Sequence, residues 1–284
     1  MGRDLLAAVD VGNTSTHLGL FEGKRLLGTY ELTTPERLTA DEARSQAERA
    51  CRDILARAME PQEVRGAADG THGAEADAPG IPSAPASAIL SCVVPALADT
   101  WARALGDLTG SRALTVGPGL KSGLKMRYDD PAEVGGDRVA DAVAAADAYG
   151  APVVVVDLGT TTNFEVIDRT GAFAGGVIAP GLALGAASLA RAAARLPQIA
   201  LKAPARVIGK NTRAAMQSGV VLGEAARIDG LLDAVMAELG YEAPVVITGN
   251  EAPALAALLR HEVAADPTLT LRGLRLLHER NRRR

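Results

Sequence analysis

DVGNT at residues 10–14 and DLGTT at residues 157–161 share the pattern Asp-x-Gly-x-Thr and lie about half a chain apart. Each follows an apolar run, LLAAV at 5–9 or VVVV at 153–156, which predicts a buried strand that ends at the aspartate. In such a turn glycine lets the backbone approach a phosphate, threonine offers a hydroxyl, and aspartate can organise a cation or its waters. Two copies in equivalent contexts predict two similar domains that face one nucleotide.

The residues after each turn repeat the same order of elements. Strands are predicted at 17–21 and 26–31 after the first turn, and at 163–168 and 172–175 after the second. No helix follows the first glycine directly, which excludes a Rossmann or Walker loop, where a helix begins at that point. Strand, turn and strand around a phosphate is typical of an actin-like or sugar-kinase-like domain. The repetition therefore predicts a duplicated α/β unit and not a short-period solenoid.

The rest of the chain has weaker local signals. Helices are predicted at 39–59, 96–108, 137–149, 182–195, 212–240, 252–263 and 270–281. Strands are predicted at 88–94 and 245–248, and Gly249-Asn250 after the latter is a third candidate for nucleotide contact. The glycine- and proline-rich stretch 61–86 predicts a flexible insertion, to which we assign no function.

Composition limits the classes of function. The 284 residues suffice for two domains, 48% of them are apolar, and only 3% are aromatic, which predicts an aliphatic core. A net charge of −4 argues against general nucleic-acid binding. The arginine-rich end, residues 280–284, is either a solvated tail or an anion contact.

Targeting and redox signals point to the cytoplasm. The two cysteines, Cys51 and Cys92, have no metal-ligand spacing and fit buried thiols in a reducing compartment. No signal peptide is visible, and no uncharged apolar stretch approaches the roughly 20 residues that span a bilayer. We expect a soluble cytoplasmic protein.

The segment YDDPAEVGGDR at 128–138 is the best candidate for binding a phosphoryl acceptor. Phosphoryl transfer depends mostly on positioning and charge compensation, with a base at the acceptor hydroxyl. Asp137 follows two glycines at a predicted helix start, where it is either that base or an N-cap, and Arg138 is either functional or a surface residue. Thr212 stands in a Lys-Asn-Thr sequence that is also a possible helix cap. Asp10 and Asp157 can alternatively be ordinary turn residues.

Taken together, these motifs resemble type III pantothenate kinases of the acetate-kinase, sugar-kinase, Hsp70 and actin superfamily. The matching stretches include DVGNTSTHLGLF at 10–21, GPGLKSGLKMRYDDPAEVGGDRVADAVAA at 117–145 and IGKNTRAAMQSGVVLGEAARIDGLL at 208–232. The resemblance covers nearly the whole chain except 61–86. The acceptor segment and the GKNT…MQSG sequence are specific to that family, whereas the glycine turns are shared by the superfamily.

The resemblance implies ATP-dependent phosphorylation of pantothenate to 4′-phosphopantothenate, the first step of coenzyme A biosynthesis. It implies ATP contacts at Asp10, Val11, Gly12, Asn13, Thr14, Ser15, Thr16, His17 and Thr160. It implies pantothenate contacts at Tyr128, Gly135, Gly136, Asp137, Arg138 and Thr212. Asp137 would be the general base and Asp157 the ligand of a monovalent cation, K⁺ or NH₄⁺, with Mg²⁺ accompanying ATP. The partners would be pantothenate and a second subunit of a homodimer, with no nucleic acid or membrane.

The same resemblance implies duplicated actin-like, ribonuclease H-like domains at 1–136 and 137–284, with a nucleotide cleft between them and the last helix packing back on the first domain. The second turn departs from the family pattern, with Asn163 and Glu165 in place of threonine and aspartate. Asn250 also stands where a glycine is common. These changes keep two alternatives open: a weakly active or non-catalytic accessory protein, and a kinase for another small hydroxyl substrate.

Overall fold

A computed structural model describes residues 4–59, 84–193 and 195–282. The chain divides into two compact units. The first unit holds the described residues up to Lys121, Gly135–Asp137 and the chain from Leu274 onward, and the second holds Ser122–Val134 and Arg138–Gly273. Most of the stretch 61–86 and the last two residues of the arginine-rich end lie outside the described residues. The predicted domain boundaries stay a prediction.

The first unit is built on a five-stranded sheet. Its strands are β1 (Leu5–Val11), β2 (Ser15–Glu22), β3 (Arg25–Thr33), β4 (Ser87–Cys92) and β5 (Leu114–Thr115). They lie in the order β3-β2-β1-β4-β5, and β1 runs antiparallel to β2 and parallel to β4. This arrangement places the carboxyl ends of β1 and β4 side by side at the same end of the sheet.

Two helices cover one face of this sheet, α1 (Ala40–Met59) and α2 (Pro95–Thr109). Thr39 caps α1 in a reciprocal capping box, in which its backbone N–H donates to Glu42 at 2.9 Å and its hydroxyl accepts from the Glu42 N–H at 3.3 Å. The cluster between the helices and the sheet is mostly aliphatic, as the composition predicts, and the aromatic Trp101 of α2 is buried in it.

The second unit repeats this topology with one strand added. Its strands are β6 (Lys125–Met126), β7 (Val153–Leu158), β8 (Thr161–Ile167), β9 (Ala172–Pro180), β10 (Val245–Thr248) and β11 (Val263–Ala265). The order is β11-β10-β7-β8-β9-β6, and β7 runs antiparallel to β8 and parallel to β10. The strands β9-β8-β7-β10-β11 thus match β3-β2-β1-β4-β5 one by one. The predicted duplicated α/β fold is confirmed.

The run of four valines in β7 is explained by a sheet that is buried on both faces. Val154 and Val156 belong to one apolar cluster with Phe164, and Val153 and Val155 belong to another on the opposite face. A strand covered on both sides needs no alternation of apolar and polar residues.

The remaining helices are α3 (Gly136–Tyr149), α4 (Leu182–Ala192), α5 (Thr212–Gln217), α6 (Gly223–Leu239), α7 (Ala252–Ala256) and α8 (Leu269–Asn281). A π-helical segment, Ser218–Leu222, interrupts the single helix that was predicted at 212–240. The predicted helix at 252–263 is wrong beyond Ala256. There the Asp229 carboxylate accepts the backbone N–H groups of Arg260 and His261, and the chain enters β11 instead. No helix in the described ranges is long and apolar enough to cross a membrane.

Candidate active site

The first glycine turn connects β1 to β2. The N–H of Gly12 donates to the carbonyl of Ser15 at 2.9 Å, and a Cβ added to Gly12 would lie 3.0 Å from that same oxygen. Glycine therefore permits the tightness of this turn. Asn13 and Thr14 are exposed at its tip, and Asp10 is half-buried where β1 ends. The turn thus presents backbone and hydroxyl groups to solvent beside a carboxylate.

The side chains that follow the first turn are largely engaged with each other. The hydroxyls of Thr16 and Thr34 share a hydrogen bond of 2.9 Å, and Thr16 is buried. Ser15 Oγ and His17 Nε2 lie 3.0 Å apart. Burial lowers the pKa of His17, an effect that the nearby Glu31 carboxylate only partly opposes. His17 is therefore neutral at pH 7.

The lowered pKa of His17 predicts a pH-dependent stability. An unfolded-state histidine binds a proton near pH 6.5, whereas the folded protein resists protonation until a lower pH. The contribution is therefore fully present above pH 6.5 and is lost as the pH falls through the unfolded pKa toward the folded one. We expect His17→Gln to flatten this part of the pH profile in urea unfolding. His278, whose pKa is also lowered by burial, should keep its own contribution, and an unchanged profile would contradict the assignment.

The second glycine turn connects β7 to β8. The N–H of Gly159 donates to the carbonyl of Thr161 at 3.0 Å, and the N–H of Gly181 donates to the carbonyl of Thr160 at 3.0 Å. A Cβ on Gly181 would lie 2.6 Å from that Thr160 oxygen, so only glycine fits here. Thr160 is exposed and Asp157 is half-buried, as Asp10 is in the first unit.

The third candidate for nucleotide contact lies against the second turn. Thr248 at the end of β10 is in register with Asp157 at the end of β7. Gly249 follows with a φ of 98°, and a Cβ there would collide with the carbonyl oxygen of Leu158. The close approach to Leu158 therefore requires glycine at position 249. The side chain of Asn250 stands one residue further along the chain.

A cavity of about 290 Å³ opens beside the second turn. It is lined by Pro180, Gly181, Leu182, Gly185, Leu189, Gly219, Val220, Gly223, Glu224 and Arg227. Thr162 Oγ1 donates to Glu224 Oε1 at 2.6 Å, and Arg227 contacts both the Glu224 carboxylate and the Pro180 carbonyl. No role was predicted for Glu224 and Arg227, because they lie on α6, about 60 residues from Thr162, and only the fold brings them to the second turn.

In the first unit, the glycine pair before Asp137 fits the chain closely against β4. A Cβ on Gly136 would lie 3.1 Å from both Ser91 Oγ and Val116 Cβ. A Cβ on Gly135 would collide with the Asp137 carboxylate and lie 3.5 Å from Val93. Because Gly135 has no side chain, the Asp137 carboxylate can lie over the Gly135 backbone, near Val93 at the end of β4. Helix α3 begins at Gly136, so Asp137 stands in its first turn and not at the cap.

Arg138 lies in the second unit, in a buried cluster. Its Nε donates to Glu165 Oε1 at 2.8 Å, its Nη2 donates to the Phe164 carbonyl at 3.2 Å, and its guanidinium lies 5.7 Å from the Phe173 ring centroid. The Tyr128 ring meets Phe173 edge-on at 6.0 Å. Burial disfavours the Arg138 cation, but the Glu165 charge and the Tyr128 hydroxyl outweigh it and raise its pKa. Arg138 is a buried cation held in one position.

Glu165, one of the residues predicted to depart from the family pattern, is fully buried in this ion pair. Its carboxylate therefore pairs with Arg138. Glutamate is one methylene longer than aspartate, so its carboxylate reaches further from the β8 backbone toward Arg138. A direct pantothenate contact by Arg138 stays a prediction.

Thr212 is the first residue of α5 and is exposed. Asn211 provides the cap, because its Oδ1 accepts the Ala214 N–H at 2.9 Å. The alternative in which Thr212 caps the helix is therefore wrong, and Thr212 is exposed to solvent.

A metal site built only of protein ligands is absent from the described residues, in which no group of three or more His, Cys, Asp or Glu could hold an ion. Mg²⁺ in nucleotide sites is typically held by one or two carboxylates, water and substrate phosphates. Single carboxylates at the two turns, Asp10 and Asp157, fit that mode of binding.

Comparison with known proteins gives the same family as the motifs. The family model of type III pantothenate kinase matches residues 6–234. The chain belongs to the type III pantothenate kinase family. Among curated proteins of that name it is 39% identical to one from Thermomicrobium roseum, with 98% of each chain covered. It is 38% identical to one from Anaeromyxobacter dehalogenans, covering 98% of this chain and 100% of the relative.

Solved structures support the fold alone. A conserved Baf family protein from Campylobacter jejuni superposes with a TM-score of 0.53 at 15% identity, covering 97% of this chain and 98% of the other. The ethanolamine utilization protein EutJ from Carboxydothermus hydrogenoformans gives the same TM-score and identity, with 98% and 91% covered. A type III pantothenate kinase family member with this fold is a kinase that uses ATP with a divalent metal and a small-molecule substrate.

Proposed function

We propose that this protein phosphorylates pantothenate at the expense of ATP and yields 4′-phosphopantothenate in the cytoplasm, at the first step of coenzyme A biosynthesis. The proposal rests on the position of Asp137, whose carboxylate lies against the backbone of Gly135, in a chain that belongs to this family. A carboxylate held over glycine backbone beside a strand end has the fixed position that a base needs.

The two glycine turns supply the ATP contacts in this proposal. Asp10 through His17 bind phosphate in the first unit, chiefly through the exposed tip at Asn13 and Thr14. Thr160 contacts ATP in the second unit, and the cavity of about 290 Å³ beside it has room for part of the nucleotide. Asp157 ligates K⁺ or NH₄⁺, a compact positive charge that offsets phosphate charge without strong Lewis acidity.

Asp137 accepts the proton of the pantothenate hydroxyl in this proposal. Its carboxylate accepts the proton late in a loose transition state. Gly135 and Gly136 contact pantothenate through their backbone, and Tyr128, Arg138 and Thr212 complete its binding. The buried cluster around Arg138 supports this by fixing the residue directly after the base.

The test is a coupled assay of ADP release by the purified protein with ATP, Mg²⁺ and pantothenate. We expect ADP release that requires pantothenate and is faster with K⁺ or NH₄⁺ than with Na⁺. Equal rates with all three cations would contradict the monovalent-cation proposal alone. No pantothenate-dependent release with any cation would contradict the kinase and favour a non-catalytic accessory role.

A homodimer is the proposed assembly, and exposed apolar side chains in the second unit support it. Ile178, Val207 and Ile208 are 61%, 71% and 75% exposed, which is costly for large apolar groups that stay in water. We expect the double variant Val207→Asp, Ile208→Asp to sediment as a monomer and the wild-type protein as a dimer. The control Met59→Asp, at an exposed apolar residue of the first unit, should remain dimeric. Identical sedimentation of all three would contradict this interface.

A further inference from the structure

The Ser91 side chain has an unexplained environment. It stands near the end of β4, is fully buried, and its hydroxyl has no hydrogen-bond partner within the part of the chain that the structure describes. Buried polar groups in folded proteins almost always have a partner, so an orphaned hydroxyl needs an explanation. A ligand that arrives with the substrates would supply one.

Strand pairing places Ser91 beside the first glycine turn. Ser91 is in register with Asp10 on the neighbouring parallel strand β1, so both side chains project from the same face of the sheet, with the strands about 4.8 Å apart. The residues next to them, Val9, Val11 and Leu90, point to the opposite face and form the core. The carboxyl ends of parallel strands are where ligands bind in α/β sheets.

The glycine pair adds the second neighbour of Ser91. The backbone of Gly136 lies so close that its missing Cβ would stand 3.1 Å from Ser91 Oγ, and Asp137 is the next residue. All of these residues belong to the first unit. The hydroxyl therefore lies where the end of β1, the end of β4 and the start of α3 meet, beside the strand that carries Asp10 and the backbone that precedes Asp137.

We propose that Ser91 is a further substrate-contacting residue, whose hydroxyl donates a hydrogen bond to a non-bridging oxygen of the phosphoryl group transferred from ATP. The proposal rests on the proposed function. A hydroxyl is neutral and can donate a hydrogen bond, so it binds the oxygen of an anion without adding repulsion toward it. In phosphoryl transfer the charge is spread over three equatorial oxygens, and fixed donors to them stabilise the transition state.

The test uses Ser91→Ala, with Ser87→Ala as the matched control on the same strand and the same face. We expect Ser91→Ala to lower kcat/KM for ATP by about 10- to 100-fold, the effect of losing one hydrogen bond to a charged group. Its Tm should be unchanged or higher, because alanine removes an orphaned polar group. Ser87→Ala should keep wild-type kinetics.

Binding measurements decide which ligand the hydroxyl contacts. Calorimetry should show weaker binding of a non-hydrolysable ATP analogue to Ser91→Ala and unchanged binding of ADP, since only the analogue carries the third phosphoryl group. Unchanged kinetics and analogue binding, a lowered Tm with parallel loss of activity, or a change confined to the pantothenate KM would each overturn the proposal. If the wild-type protein fails to phosphorylate pantothenate, the proposed function fails, yet the comparison of analogue and ADP still tests Ser91.

Discussion

Asp137→Asn is expected to lower kcat by about 10²–10⁴-fold, the usual contribution of a general base, while ATP affinity stays within about twofold. The asparagine amide has the shape of the carboxylate, so it fits over Gly135 in the same way, but it cannot accept the hydroxyl proton. The loss should therefore appear in kcat and kcat/KM alike, as for an interaction made only in the transition state. Steady-state kinetics and calorimetry with ATP measure the two quantities.

Asp129→Asn is the matched control for this variant. Asp129 is an exposed carboxylate of the same segment, and its replacement should leave kcat within about twofold. Full activity of Asp137→Asn would show that another group accepts the proton. A loss of ATP affinity as large as the loss of kcat would show that Asp137 acts in nucleotide binding and not as the base.

Glu165→Leu is expected to reduce the free energy of unfolding by about 3–5 kcal/mol, because it leaves the Arg138 guanidinium buried without its counter-charge. Glu165 is fully buried and Arg138 is 6% exposed, so water cannot replace the lost partner. Urea unfolding followed by circular dichroism measures the change. The double variant Arg138→Met, Glu165→Leu should recover most of the loss, since an apolar pair of similar volume has no charge to bury.

Glu48→Leu is the control for this second prediction. Glu48 pairs with Arg44 on the surface of α1 at 3.6 Å, and exposed ion pairs contribute at most about 1 kcal/mol. Equal destabilisation by Glu165→Leu and Glu48→Leu would contradict the view that burial gives the Arg138 pair its strength. A double variant less stable than the single one would point instead to specific packing of the Arg138 stem.

The parts of the fold that could be predicted from the sequence are those encoded by short-range patterns. Strands β1 and β7 end one residue after their aspartates, close to the predicted ends, because an apolar run followed by Asp-x-Gly fixes both the strand and the turn. The duplication followed from two equivalent turns. In contrast, the predicted helix at 252–263 ends early, at Ala256, because the Asp229 carboxylate from a distant helix accepts the backbone N–H groups of Arg260 and His261, and β11 then pairs with β10.

The parts of the site that escaped prediction depend on contacts between distant segments. Nothing near Arg138 in the sequence indicates that Glu165 neutralises it, or that Thr162 donates to Glu224. No local pattern singles out Ser91, whose place beside Asp10 and Gly136 follows only from strand register and from the approach of the distant glycine pair. Local motifs indicated the family, whereas the contacts between polar side chains could be read only from the three-dimensional structure.

The central claim is that this chain transfers a phosphoryl group from ATP to pantothenate with Asp137 as the base. The most direct measurement is mass spectrometry of a reaction containing the purified protein, Mg²⁺, K⁺, pantothenate and ATP labelled with ¹⁸O in its γ-phosphoryl group. We predict a product heavier than pantothenate by one labelled phosphoryl group, formed by the wild-type protein and almost absent with Asp137→Asn. No labelled product from the folded wild-type protein, or equal amounts from both proteins, would contradict the account.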